Sequence, residues 1–208
     1  MELFTYFRSS AAYRVRIALN LKEIPHKLTT VNLLKAEHKS DAYLKLNPQG
    51  LVPSLKLDDG RVINQSTAML EYLEATSDSY PLLPSNPYDA ATVREWCNII
   101  GNDIHPVDNL RILKYLTGTL GVSEDEKMTW YHHWIHEGFK ALESQVKATP
   151  YCFGNQITLA DLYLVPQVYN ALRFDLDMAN YPKIRSIYDA CNKLEAFINA
   201  APENQPQE

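Results

Sequence analysis

The chain has 208 residues, 46% of them hydrophobic and 22% charged, with a formal net charge of −5. That balance is ordinary for a globular protein with a sizeable core. It argues against a nucleic-acid binder, which needs a basic face to displace counterions. No apolar run approaches the roughly 18 residues of a membrane span, and MELFTYFRSS lacks the features of a secretory signal, so no membrane partner and a cytoplasmic location are expected. Cys97, Cys152 and Cys191 are odd in number, far apart and without a C-x-x-C, which excludes a disulfide framework or a zinc ribbon.

Taken in chain order, ELFTYF predicts a strand that ends at Arg8-Ser9-Ser10. In AAYRVRIALNLK, Ala11, Val15, Ala18 and Leu19 share one helical face, with Ser9 or Ser10 as N-cap. Lys27–Val31 reads as a second strand and Asp41–Lys45 as a short helix. VPSLKL and RVI, separated by Asp59-Gly60, form a hairpin. QSTAMLEYLEAT, capped by Ser66, closes a β-α-β-α-β-β-α order. This predicts an α/β thioredoxin-like domain over residues 1–80. The proline cluster YPLLPSNPYD marks a linker. An all-α domain is expected over 88–208: helices near Tyr88–Tyr115 and Glu124–Lys147, one capped by Thr158 and Asp161, then two shorter helices near 183–191 and 194–201.

Three features of the first domain carry chemistry. Ser9-Ser10 stand where a fold of this order places its reactive group, and a redox protein of that type would carry C-x-x-C there. This chain offers hydroxyls instead, so any thiol must arrive with a ligand; glutathione, a peptide with carboxylates at both ends, suits the place. Val52-Pro53 precedes a strand and suits an extended peptide ligand, or is an ordinary turn. Gln65-Ser66 open a helix whose amides and dipole suit a carboxylate, or Ser66 is a plain N-cap.

FRSSAAYRVRIAL, NPQGLVPSL, INQSTAMLEYLE, DIHPVDNLRILKYL, TLADLYLVPQVYNALRF and APENQPQ together resemble the zeta class of glutathione transferases over essentially the whole chain. The resemblance implies the glutathione transferase fold, glutathione as cofactor and a homodimer. It also implies cis–trans isomerisation of a small acidic substrate: maleylacetoacetate, late in tyrosine breakdown, or its shorter relative maleylpyruvate. Carried over by position, Ser9 would hold the glutathione thiolate, with Ser10 beside it. His38 and Val52 would hold the peptide's backbone and glycine end, and Gln65 and Ser66 its γ-glutamyl carboxylate. His105, Asn109 and Arg111 border the site and would also contact glutathione, and Arg8, Arg111 and Arg173 would bind the acidic substrate. Planar, permanently charged guanidiniums clamp carboxylates and stabilise negative charge as it develops. Taken singly, each of these arginines reads as a surface ion pair.

One departure is Ala11, which stands where the signature has cysteine. Lowering a thiol pKa by about two units takes about 2.7 kcal/mol. A hydrogen bond to a charged group contributes about 1.5–3 kcal/mol, and a helix start about 0.3–1 kcal/mol. Ser9 and the helix therefore suffice without a second thiol. A general glutathione transferase or dehalogenase, and a non-catalytic binding protein of the same fold, are the remaining alternatives. Arg14 and Arg16 read as helix-face residues paired with acids. His132, His133 and His136 lack the H-E-x-x-H arrangement and read as a solvated face, so no metal is expected.

Overall fold

The computed structural model describes residues 1–207. Two compact units are present: Met1–Pro81 together with the chain from Asn192 onward, and Leu82–Cys191.

In the first unit, β1 (Glu2–Thr5), α1 (Ser10–Leu21), β2 (Lys27–Thr30), α2 (Asp41–Leu46), β3 (Ser54–Lys56), β4 (Val62–Asn64) and α3 (Ser66–Thr76) follow the predicted order. The sheet runs β2-β1-β3-β4, with β1 and β2 parallel and the other pairs antiparallel. A helical crossover is what a parallel pair needs, and α1 supplies it. Leu3 sits opposite Leu28 on one side and Leu55 on the other. Leu3 and Leu55 are fully buried beside Val15, Ala18 and Leu19 of α1 and Met69, Leu70 and Leu73 of α3. Each such leucine contributes about 1.5–3 kcal/mol by leaving water.

The expectation that Arg14 and Arg16 are helix-face residues paired with acids is corrected for Arg16, whose bonds go to carbonyls and a hydroxyl. Both are buried within the α1 packing face. Arg16 donates to the carbonyls of Ala200 and Phe7 and to the Thr5 hydroxyl, at 2.9, 3.2 and 3.0 Å. Loss of solvent lowers its pKa to about 10. The bond to Ala200, with one from Asn20 to the Ala196 carbonyl, fastens α10 (Glu195–Ala200) onto α1. A polar side chain buried this deeply persists because its donors find acceptors.

The second unit is helical: α4 (Pro87–Asn98), a π-helical segment Ile99–Ile104, α5 (His105–Asp108), α6 (Leu110–Gly118), α7 (Glu124–Gln145), α8 (Leu159–Arg173) and α9 (Pro182–Cys191). The single helix expected over Tyr88–Tyr115 is thus widened to π geometry at Ile99–Ile104 and broken once, at Asn109. Pro106 has no N–H to extend the ladder. Asn109 is extended, with ψ of 159°, and its side chain caps α6 through the amides of Arg111 and Ile112. Opposite the π segment lies Gly138 of α7, where an added Cβ would fall 3.3 Å from Ile99 and much closer to Ile104. The capping pair at α8 forms as expected: the Asp161 carboxylate accepts from the Thr158 amide and hydroxyl and from the Cys152 amide.

Candidate functional site

In the first unit the site begins where β1 hands the chain to α1. Ser9 is extended and caps α1: its Oγ accepts from the Ala12 amide at 3.2 Å. A hydroxyl has one proton and two acceptor positions. With an acceptor position occupied by Ala12, the Ser9 proton can be donated outward. Ser9 is half-buried whereas Ser10 is buried, so the two adjacent hydroxyls are not equivalent. The first turn, Ser-Ala-Ala, contains no acid, so the positive end of the α1 dipole is available to an incoming anion. Arg8 is exposed and lies over the Phe7 ring, 4.9 Å from its centre.

A second helix start, that of α3, repeats the pattern. Gln65 takes a positive φ of 74° at the N-cap and makes no side-chain cap bond; the first turn, Ser-Thr-Ala, again lacks an acid. Ser66 is buried and accepts from Arg14. The Gln65 amide donates to Gln49 at 2.6 Å, which ties it to the loop before β3. In that loop Gly50 has a φ of +58°, and an added Cβ would lie 2.8 Å from the His38 carbonyl oxygen. Only glycine combines that conformation with so close an approach. The loop is held further by the Tyr43 hydroxyl and the Asn47 amide, both donating to the Leu51 carbonyl. Val52 follows, half-buried, and its bond to Pro53 is cis. Short contacts therefore link His38, the Val52 loop, Gln65 and Ser66, and through Arg14 reach the helix that Ser9 caps.

In the second unit, His105 opens α5 and Asn109 caps α6, its Nδ2 also donating to the Pro106 carbonyl at 2.8 Å. Arg111 is exposed in the first turn of α6, where the dipole disfavours a cation and an anionic partner would relieve it. Arg173 ends α8, exposed, with its guanidinium 4.5 Å from the centre of the Phe174 ring. The Phe174 ring packs on Tyr131 of α7 at 4.6 Å.

Sequence reasoning passed over Asp108, between Val107 and Asn109. It is buried, its carboxyl oxygens have no hydrogen-bond partner among the described residues, and loss of solvent raises its pKa to about 8. Tyr131 feels both this carboxyl and the Arg173 guanidinium, and burial raises its own pKa. The end of α8 and the α5–α6 junction therefore share one neighbourhood around that ring. The junction is anchored by Trp130, whose indole N–H donates to the Val107 carbonyl at 3.0 Å.

The histidine expectation holds in part. His133 is exposed, but His132 approaches the Phe174 carbonyl at 2.7 Å and His136 the Tyr181 hydroxyl at 2.6 Å. No group of three metal-binding side chains occurs among the described residues, and no described helix is long and apolar enough to cross a membrane.

A four-stranded mixed sheet with a capped helix start at its mouth, on a chain that continues into an all-helical unit, defines the glutathione transferase fold. The glutathione S-transferase N-terminal domain pattern matches residues 8–76, and the C-terminal domain pattern matches residues 135–195. The chain is 47% identical to a probable maleylacetoacetate isomerase of Vibrio cholerae, over 98% of this chain and 96% of that protein. It superposes on the holo structure of a bacterial zeta-class maleylpyruvate isomerase with a TM-score of 0.96 and 44% identity, covering 100% of both chains. A maleylacetoacetate isomerase from Methylobacterium extorquens, solved with bound malonate and glutathione, matches with a TM-score of 0.95 and 33% identity over 99% of this chain and 98% of that one. The chain belongs to the glutathione S-transferase family, within its zeta class.

Proposed function

We propose that this protein is a glutathione-dependent cis–trans isomerase of a small unsaturated diketo dicarboxylic acid, with maleylacetoacetate as its substrate. The observation that carries this reading is the Ser9 hydroxyl, an N-cap that accepts from the Ala12 amide and keeps its proton to donate, at an acid-free helix start in a domain that has no cysteine of its own.

The donor set fits the tripeptide. Two acid-free helix starts, at Ser9 and Ser66, suit a thiolate and a carboxylate, and the His38–Val52 edge tied to Gln65 suits an extended backbone. When bound, glutathione supplies a sulfur nucleophile that makes the cis double bond temporarily single and leaves again after rotation. Ser9 holds the sulfur as its anion by donating its proton. Ser66 and Gln65 fix the γ-glutamyl end. Arg8, Arg111 and Arg173 bind the substrate carboxylates and stabilise the negative charge that grows on its carbonyl oxygen. His105 and Asn109 are assigned to contacts with bound glutathione. No net proton or sulfur transfer to product is required, so the peptide acts catalytically.

Maleylpyruvate is the alternative substrate, and Arg111 favours it. Arg111 is exposed, as Arg8 and Arg173 are, and a further guanidinium suits a shorter acid whose carboxylates lie close together. The working form is read, from the family, as a cytoplasmic homodimer, and size-exclusion chromatography tests the dimer. The activity is tested by following the absorbance of each cis acid with and without glutathione. Turnover that needs glutathione in less than stoichiometric amount, and a product free of sulfur, supports the reading. A stable glutathione adduct assigns a transferase or dehalogenase instead. No binding of glutathione at all leaves a non-catalytic binding protein.

A further inference from the structure

Arg14 lies on α1, five residues beyond Ser9, and is 2% exposed. Its Nη1 donates to the Oγ of Ser66 at 3.5 Å, across to the first residue of α3. Ser66 is 6% exposed. Neither α1 nor α3 places an acid in its first turn. A permanently charged guanidinium thus sits beneath the helix start to which the γ-glutamyl carboxylate has been assigned, in a region shielded from water, where its charge acts at low dielectric.

The direction of that hydrogen bond matters. A hydroxyl that accepts from an arginine cannot donate back to it, because a guanidinium has no acceptor. The Ser66 proton is therefore left for an acceptor other than Arg14, and an anion at the mouth of α3 can be that acceptor. An anion there meets the α3 amides, the Ser66 proton and, one bond further back, the guanidinium charge. Polarisation along such a chain strengthens each link. Nor is a plain N-cap role a sufficient account of Ser66, since the N-cap position is held by Gln65.

We propose that Arg14 is a positioning residue for the γ-glutamyl carboxylate of glutathione: it orients the Ser66 hydroxyl and places a fixed positive charge behind it. The proposal rests on the assignment of Ser66 to that carboxylate. Because Arg14 and Ser9 belong to one helix, the same side chain also ties the seat of the peptide's carboxylate to the seat of its sulfur.

The test compares two peptides by calorimetry: glutathione, and γ-aminobutyryl-cysteinyl-glycine, which lacks only the glutamyl α-carboxylate. Wild type, Arg14→Gln, Arg14→Lys and Ser66→Ala are each titrated with both, after thermal melts identify which variants are folded. Arg14→Gln is expected to lose about tenfold or more in glutathione affinity, about 1.4 kcal/mol, with less than about a twofold change for the decarboxylated peptide. Arg14→Lys is expected to keep part of the discrimination, because the charge remains while the fork is lost, and it carries the test if Arg14→Gln does not fold. Ser66→Ala combined with the arginine variant should cost less than the two single losses added. Equal losses for both peptides, or none, in a folded arginine variant would show that Arg14 only packs. A wild type that binds both peptides equally well would instead remove the Ser66 assignment itself, whatever the arginine variants do, and the proposal with it.

Discussion

The ammonium of Lys22 and the carboxylate of Glu74 meet at 2.8 Å with the lysine side chain wholly buried. The same ammonium donates to the carbonyls of Ser77, Ser79 and Tyr80. The end of α1 is thereby fastened to the end of α3 and to the chain that leaves it. Removing one partner of a buried ion pair strands the other, at a cost of about 3–5 kcal/mol. Lys22→Ala should lower the melting temperature by about 6 °C or more. A melting temperature within a degree of wild type would mean that this pair carries no net stability.

Asp108 gives the protein a pH dependence of defined sign. Its pKa is raised on folding, from 3.8 to about 8. Between those values the unfolded chain ionises this carboxyl while the folded chain keeps it protonated, so the group costs stability as pH rises through the window. Asp108→Asn removes that cost. Its stability advantage over wild type should grow from about pH 4 to pH 8, by at most about 1.4 kcal/mol per pH unit, and stay level above. Denaturant melts at pH 5, 7 and 9 check this. A difference that is constant with pH would place an unseen donor on the carboxyl.

Gly138 faces the π-helical segment at Ile99 and Ile104. Gly138→Ala should destabilise by about 1–3 kcal/mol through overpacking, despite alanine's better helix propensity. The fair comparison is Gly118→Ala, where nothing lies within 4 Å of an added Cβ and a gain of up to about 1 kcal/mol is expected from propensity. Urea melts of both variants decide it. Equal effects would mean that the segment gives way.

Much of this was legible in the sequence because the signals are local. ELFTYF, the hairpin turn at Asp59-Gly60, the cap at Ser9 and the Thr158/Asp161 box each depend on residues a few positions apart. Where partners are distant, the sequence was mute or misleading. Arg16 looks like a surface cation until Ala200, 184 residues away, is placed over it. Arg14 read as a helix-face residue paired with an acid, although one clue to its burial was present: it stands four residues before Ala18 and so shares the buried stripe of α1. The break at Asn109 was hidden because HPVDNL reads as continuous helix unless Asn109 is taken as a fresh cap. Asp108 carried no pattern at all, because burial is a tertiary property.

Arg173 tests the assignment of the acidic substrate. Its guanidinium is exposed at the end of α8 and stacked on Phe174. Arg173→Ala should raise KM for the cis acid about tenfold or more, the loss of one charge-assisted pair, while glutathione affinity changes less than about twofold. Steady-state kinetics and calorimetry separate the two. An unchanged KM would return Arg173 to the surface.

The measurement closest to the central claim is the pKa of the bound glutathione thiol, read from the ultraviolet absorbance of its thiolate against pH. In wild type it should lie about two units below the free thiol, near 8.5. Ser9→Ala should recover about one to two of those units, the worth of a hydrogen bond to a charged group, and Ser10→Ala should recover little. An unaltered thiol pKa in Ser9→Ala, or a larger shift in Ser10→Ala, would contradict the account.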